Sequence, residues 1–267
     1  MKTHVEFKNL GIDLLLNRRA VEFDALGGGI YYYALIICAG FILAWLYINR
    51  EEKKYSKSDD LLNMVLFGLP AAVVSARLYY VIFSFADYKD NPLDIFKVWN
   101  GGLAIYGGVI GAALTVFIYC RVKKLSVIHY LDLLAMGLLI GQSVGRWGNF
   151  VNGEAHGALV SDGFLLGMTV NGEGPFHPTF LYESVLNAAG FLIIRFLSKK
   201  MKTEGFCSSA YLIWYGAVRF CIEGLRTDSL YLPGTEIRVS QALSAAMFLA
   251  GAVIMAYFVR KKKIQLT

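Results

Sequence analysis

The sequence has 267 residues, of which 56% are hydrophobic and only 17% are charged. Because about one quarter of the residues in a soluble globular domain are charged, this composition excludes an ordinary soluble protein and indicates a polytopic membrane protein. The net charge of +6 does not indicate nucleic-acid binding, since most basic residues fall in short clusters between apolar stretches, where they set membrane orientation.

Residues 1–29 precede the first apolar stretch, and we expect them to form an arm on the outer membrane surface. Seven later stretches each approach the length of about 20 apolar residues that spans a bilayer. They are residues 30–48, 61–83, 103–119, 127–144, 179–197, 206–222 and 239–259. The prediction is therefore an all-α fold with seven transmembrane helices within residues 30–259, followed by a basic tail at 260–267.

Predicted loops that are rich in lysine and arginine alternate with loops that have few. The first, third and fifth connections and the tail are rich in these residues, whereas the intervening loops have few. Because basic loops remain in the cytoplasm, the pattern predicts an outer N-terminus and a cytoplasmic C-terminus. The longest loop, residues 145–178, then lies outside. Long loops are usually functional or mobile, and we interpret this one as a small extracytoplasmic cap.

The segment 145–157, GRWGNFVNGEAHG, places polar groups at the end of the fourth apolar stretch. Ionised side chains at membrane depth are costly, so they persist mainly where they line a cavity or meet a charged ligand. Arg146 is the strongest candidate, with Asn149, Asn152 and Glu154 beside it. The alternative is that these residues only form a glycine-rich helix cap.

Other polar side chains fall at the same predicted depth, near the outer leaflet. They are Arg77 in the second stretch, His177, Tyr182 and Glu183 at the start of the fifth, and Arg219, Glu223 and Arg226 at the end of the sixth. Separate helices would thus bring charge to one level, which favours a shared site.

Each of these residues also has a purely structural interpretation. Arg77 could extend to the lipid headgroups. Arg219 and Glu223 are four residues apart and could form an ion pair on one helix face. His177, followed by proline, could simply begin a helix.

The segment 101–108, GGLAIYGG, opens the third stretch. The bare backbone of Gly101 and Gly102 could admit a lipid headgroup, with the Tyr106 hydroxyl directed towards it. Alternatively, the glycines allow close helix packing and Tyr106 lies in an interfacial aromatic belt.

The sequence lacks the phosphate-binding loop, the His-Glu-x-x-His metal motif and the Gly-x-Ser-x-Gly nucleophile motif. We therefore expect neither a metal nor a cofactor, and any chemistry would be direct transfer between two bound substrates. Arginine is the preferred cation for phosphate because its planar fork forms two parallel hydrogen bonds and stays ionised. Several arginines near the outer leaflet indicate an anionic phospholipid as the ligand.

The segment 145–154 resembles the signature of the phosphatidylglycerol–prolipoprotein diacylglyceryl transferases. Four further segments resemble the same family in the same order: ARLYY at 76–80, residues 101–108, HPTFLYE at 177–183 and YGAVRFCIEGLR at 215–226. This similarity covers most of the chain.

The resemblance implies a bacterial inner-membrane enzyme that transfers the diacylglyceryl group of phosphatidylglycerol to the lipobox cysteine in a prolipoprotein signal peptide. A thioether forms and glycerol phosphate is released. It implies essential roles for Arg146, which binds lipid, and for Arg219. It also implicates Tyr33, Asn149, Glu154, Gly157 and Glu223.

One position departs from the family pattern. Tyr106 occupies a position where some members have a histidine, and a neutral tyrosine is a poor proton acceptor at neutral pH. Glu154, Glu223 and His177 are then the candidate bases, and the sequence does not choose among them.

Two functions of other classes would also place charges inside a helical bundle. A transporter or flippase predicts a polar path that reaches the cytoplasmic side, but the inner halves of the predicted spans are nearly free of charge. A non-catalytic scaffold would bind phosphatidylglycerol without releasing glycerol phosphate.

Overall fold

The computed structural model describes residues 2–23, 28–89, 91–227, 229–231 and 234–266. Residues 1 and 24–27 of the predicted arm and residue 267 of the predicted tail lie outside this description. Within it there are seven α-helices. They are α1 (Tyr32–Glu52), α2 (Asp60–Phe83), α3 (Ile105–Lys123), α4 (Val127–Asn152), α5 (Thr179–Met201), α6 (Phe206–Glu223) and α7 (Val239–Leu266).

The predicted helical membrane fold is confirmed. Six of the helices are long and apolar enough to cross a membrane, and each of the seven overlaps one predicted stretch. The exception among the seven is α6, in which Arg219 and Glu223 lower the apolar character of an 18-residue helix.

Two compact units make up the chain: residues 1–48 with 131–267, and residues 49–130. In the smaller unit, α2 packs closely against α3 because glycines face Ser75. A methyl group on Gly107 or Gly111 would overlap that residue. Such small-residue contacts let two helix backbones approach each other in a membrane protein.

In the larger unit, α1 packs against α4 in the same way. A Cβ atom on Gly40 would lie 3.3 Å from Val144 Cβ, and one on Gly148 would lie 2.7 Å from Tyr33 Cδ2. These contacts bring Tyr33, at the start of α1, to the last turns of α4.

The described residues also form six short strands, none of which was predicted from the sequence. They are β1 (Lys2–Phe7), β2 (Ile12–Asn17), β3 (Arg19–Phe23), β4 (Gly28–Tyr31), β5 (Met168–Val170) and β6 (Glu173–Phe176). One antiparallel sheet has the order β2-β1-β5-β6, and β3 pairs with β4 in a second. The described part of the arm is therefore not an isolated segment, because β1 pairs with β5 of the long loop.

A small core joins the first sheet to the helices. Alternate β1 residues, Thr3, Val5 and Phe7, are buried, as a strand with one covered face requires. Val5 and Phe7 pack with Phe150 of α4 and Phe180 of α5. The sheet is thus fixed to α4 and α5, two of the helices that bear candidate site residues.

The loop after α4 begins at Gly153, not at residue 145 as predicted, because α4 continues to Asn152. Arg146, Asn149 and Asn152 are therefore helical. Gly153 ends the helix with a positive φ of 64°, and its N–H donates to Phe150 O at 3.0 Å. Glycine readily adopts this conformation at helix ends. The glycines earlier in the motif pack against α1 instead of breaking the helix.

Candidate functional site

Four charged side chains from three helices of the larger unit form one ion-pair network. Arg146 Nη2 in α4 lies 2.6 Å from Glu183 Oε2 in α5. Arg219 in α6 donates through Nη1 to Glu183 Oε1 at 2.9 Å and through Nη2 to Glu223 Oε2 at 2.5 Å. Glu183 and Glu223 are buried. The C-terminal ends of α4 and α6 and the N-terminal end of α5 therefore meet at this network.

The network holds two cations and two anions, so its formal charges cancel. Buried charges need such pairing because desolvation of an isolated ion costs several kcal/mol. Both terminal nitrogens of Arg219 are engaged by carboxylates. Arg146 is less constrained: its Nη1 has a long contact of 3.5 Å to Asn149 Oδ1, and 22% of its side chain is exposed.

A second polar cluster adjoins Arg146. The side-chain amides of Asn149 and Asn152 both donate to Glu154 Oε1, each at 3.2 Å. Glu154 is exposed, in contrast to Glu183. Since Asn149 contacts both Arg146 and Glu154, it joins the ion-pair network to an exposed carboxylate.

The residues after Glu154 are held by backbone hydrogen bonds. The Gly157 N–H donates to His177 O at 2.8 Å, and the Ala158 N–H donates to Leu225 O at 2.7 Å. A Cβ on Gly157 would lie 2.8 Å from His177 Cβ and 3.0 Å from Leu225 O. Gly157 also forms a bridge with Arg226, so these predicted residues meet through their backbones.

His177 and Tyr182 contact each other at the start of α5. His177 Nδ1 lies 3.2 Å from the Tyr182 hydroxyl. Thr179 Oγ1 donates to Ala155 O at 2.6 Å, which holds the end of the polar segment against the first turn of α5. The helix-start interpretation of His177 and a role in the reaction are both compatible with this geometry.

Tyr33 and Trp147 fix α4 from two sides. Tyr33 packs over Gly148, and the Trp147 indole N–H donates to Ser184 Oγ at 3.0 Å. Ser143 Oγ donates to Ser184 O at 2.8 Å. These contacts set the rotation of α4 and α5 that lets Arg146 reach Glu183.

Two supporting residues were not identified from the sequence. Arg238, just before α7, donates through Nη1 to the Glu223 carbonyl at the end of α6, where a cation is favoured by the helix dipole. Asp132 in α4 accepts from the backbone N–H groups of Gly205 and Ser208, both at 2.7 Å. It thereby caps the start of α6, the helix that carries Arg219. In the sequence, Arg238 is a charge next to a helix end, whereas Asp132 lies inside α4 and 73 positions before Gly205, so no local signal connects it with α6.

The smaller unit contains the remaining candidates. Arg77 is buried in α2 and donates to backbone carbonyls, including Gly101 O and Gly102 O at 2.6 and 3.1 Å. Tyr106 is exposed in the first turn of α3, with its ring centroid 6.4 Å from that of Tyr79. Within this unit the structure thus brings Arg77, Gly101 and Gly102 into contact.

Comparison with known proteins shows a consistent relationship. The family model for prolipoprotein diacylglyceryl transferase matches residues 21–257. The phosphatidylglycerol–prolipoprotein diacylglyceryl transferase of Enterococcus faecalis is 45% identical over 254 residues, covering 91% of each chain.

Two further relatives carry the same name. The one from Streptococcus agalactiae serotype Ia is 42% identical over 243 residues, covering 88% of this chain and 94% of the relative. The one from Bacillus licheniformis is 41% identical over 239 residues, covering 85% and 88%. The matched span includes every candidate residue described above, and the chain belongs to the prolipoprotein diacylglyceryl transferase family.

Proposed function

We propose that Arg146 binds the phosphate of phosphatidylglycerol in the reaction of this family, with Arg219 supplying a second positive charge. The protein is a multi-pass bacterial membrane enzyme. It transfers the diacylglyceryl group of phosphatidylglycerol to the lipobox cysteine of a prolipoprotein. Membership of the family favours this transferase activity over the transporter and scaffold alternatives.

The reaction moves negative charge onto the phosphate. The cysteine thiolate attacks the glycerol carbon, a carbon–sulfur bond forms, and the bond between that carbon and the phosphate oxygen breaks. The electron pair of the broken bond remains on the leaving glycerol phosphate. Preorganised cations beside that oxygen stabilise the transition state more than the ground state.

The observation that carries the proposal is the ion-pair network. Glu183 holds Arg146 and Arg219 together, one on each carboxylate oxygen. Because Arg219 already engages two carboxylates, Arg146 is the guanidinium with donors available to a ligand. Arg146 would therefore contact the phosphate. Arg219 would add a second positive charge nearby and would hold Glu183 in the position in which it pairs with Arg146.

Glu154 is the base that the geometry favours among the three candidates. Glu223 is buried and paired with Arg219, and His177 contacts Tyr182. Glu154 is exposed and uses one carboxylate oxygen to accept from Asn149 and Asn152. We infer that its other oxygen accepts the thiol proton, which generates the nucleophilic thiolate.

We further propose that the network faces the outer leaflet of the cytoplasmic membrane. Basic residues cluster at or beside the opposite ends of α4, α5 and α7, including Lys123, Lys124, Lys199, Lys200 and Arg260. Basic connections remain in the cytoplasm. The N-terminus and the first sheet would then be outside, as a small cap, and the C-terminal tail would be cytoplasmic.

The test uses purified protein, phosphatidylglycerol and a lipobox peptide, with mass spectrometry of the peptide. The wild-type protein should add one diacylglyceryl group, and Arg146→Ala should abolish the addition while its thermal transition in detergent persists. Arg121→Ala, at an exposed position in α3, should transfer at the wild-type rate. Full activity of Arg146→Ala would contradict the proposed role of Arg146.

A further inference from the structure

Arg77 is surrounded by backbone carbonyls of the connection between α2 and α3. Its Nε donates to Ile95 O at 2.8 Å. Its terminal nitrogens donate to four more carbonyls: Nη1 to Gly101 O and Gly102 O at 2.6 and 3.1 Å, and Nη2 to Asp94 O and Lys97 O at 2.6 and 3.4 Å. All three nitrogens of the guanidinium group are therefore occupied by the chain itself.

The surroundings of Arg77 leave little room for a lipid phosphate. The residue is 6% exposed, and the Tyr88 ring lies beside the guanidinium group, with its centroid 5.3 Å from Cζ. A phosphate could bind only by displacing carbonyls that already accept hydrogen bonds from a charged donor. Such bonds are stronger than those between neutral groups.

The backbone at Gly101 and Gly102 is shaped around the same guanidinium group. Both glycines have positive φ angles, 86° and 71°, which residues with a Cβ atom rarely adopt. A Cβ on Gly102 would lie 2.5 Å from Arg77 Nη1. The two glycines are therefore required for the carbonyls to reach Arg77.

The connection leads directly into α3. The Ala104 N–H donates to Ala76 O at 3.1 Å, and α3 begins at Ile105. Tyr106 is the second residue of this helix. The contacts of Arg77 and Ala76 thus set where the first turn of α3 lies on α2.

We propose that Arg77 is a positioning residue that holds residues 94–102 against α2 and thereby places Tyr106, instead of binding the lipid phosphate. This inference rests on the proposed function, because the position of Tyr106 can affect diacylglyceryl transfer only if the protein is the transferase. It departs from the expectation from sequence that Arg77 is a phosphate ligand.

The first test measures whether Arg77 holds the connection. Arg77→Lys keeps the positive charge but removes the planar guanidinium group, so residues 94–102 should open more often. Trypsin should then cleave after Lys97 about tenfold faster. This is the change expected from the loss of one hydrogen bond to a charged donor. Cleavage after Lys57, in the connection between α1 and α2, is the internal reference and should not change. Arg121→Lys is the matched control, and its cleavage rates should equal those of the wild type.

The second test measures whether Arg77 acts through the glycine turn. Gly102→Ala disturbs the contact between Gly102 and Arg77 without altering charge. The transfer rate should therefore fall to a similar level in Arg77→Lys, in Gly102→Ala and in the variant that carries both substitutions. Coupled residues show such non-additive effects. Gly68→Ala in α2 is the control, because its nearest neighbour, Thr115 Cγ2, is 3.9 Å from the added methyl group.

Three results would overturn the inference. They are wild-type cleavage after Lys97 in Arg77→Lys, faster cleavage with an unchanged transfer rate, and additive losses in the double variant. A tenfold rise in the KM for phosphatidylglycerol without faster cleavage would identify Arg77 as a phosphate ligand. The cleavage assay contains no substrate, so failure of the transferase proposal would be seen separately, as a wild-type protein that transfers nothing.

Discussion

Arg146 Nη2 lies 2.6 Å from Glu183 Oε2, although the two residues belong to different helices. The other oxygen of the same carboxylate accepts from Arg219 at 2.9 Å. One buried anion therefore holds two guanidinium groups in place before any substrate binds. In the function proposed above, this arrangement would need little reorganisation when charge develops on the phosphate.

Replacement of Glu183 by glutamine should therefore affect both stability and transfer. Glu183→Gln keeps the shape but leaves the two arginines without their shared anion. The loss of one partner from a buried pair costs about 3–5 kcal/mol. We expect a lower thermal transition in detergent and a lower transfer rate. Glu204→Gln, at an exposed position, should change neither, and a wild-type transition in Glu183→Gln would contradict the structural role.

Glu154→Gln tests the proposed proton acceptor. The amide oxygen can still accept from Asn149 and Asn152, so the fold should be retained, but the side chain can no longer take a proton. General-base catalysis typically contributes about 10²–10⁴-fold, and kcat should fall within this range with little change in thermal stability. Glu173→Gln in β6 is the exposed control. If Glu154→Gln retains wild-type kcat, another group accepts the proton.

Gly148→Ala tests the packing of Tyr33 against α4. The added methyl carbon would lie 2.7 Å from Tyr33 Cδ2, so the tyrosine must move, and overpacking typically costs about 1–3 kcal/mol. Thermal stability and transfer should both decrease. Gly141→Ala lies in the same helix with no atom within 4 Å of the new carbon and should gain about 0.5–1 kcal/mol from helix propensity. Equal stability of the two variants would contradict this packing.

Asn187→Leu should raise stability. Asn187 is 0% exposed in α5, and neither polar atom of its side chain has a hydrogen-bond partner among the residues that the structure describes. An unsatisfied buried polar group costs about 1–3 kcal/mol, which an apolar side chain of similar shape avoids. Thermal denaturation in detergent measures the difference. Lower stability of the leucine variant would show that the amide has a partner in the working enzyme.

The helices and one ion pair could be predicted from sequence. Each span is an apolar stretch of sufficient length, and Arg219 and Glu223 are four residues apart, which places them on one helix face. The link from Arg146 through Glu183 to Arg219 could not be predicted in detail. It depends on the rotation of α4 and α5, which Ser143, Trp147 and Ser184 fix by contacts between helices.

Neither the strands nor the environment of Arg77 could be predicted from sequence patterns, for two different reasons. β1 is six residues long and pairs with β5, more than 160 positions away, so no local signal identifies its partner. For Arg77, the residue type suggested an anion, but the ligands are carbonyl groups, which every residue has. Only the backbone path through Gly101 and Gly102 makes them available.

The pairing of β1 with β5 has a consequence for biosynthesis. Val5 can pair with Val170 only after residue 170 has been translated. By then the ribosome has already made α1 to α4. β1 can pair with β2 as soon as residue 17 has been made, but its other edge has no partner strand until β5 has been translated. The four-stranded sheet is therefore completed only after α4 has been translated.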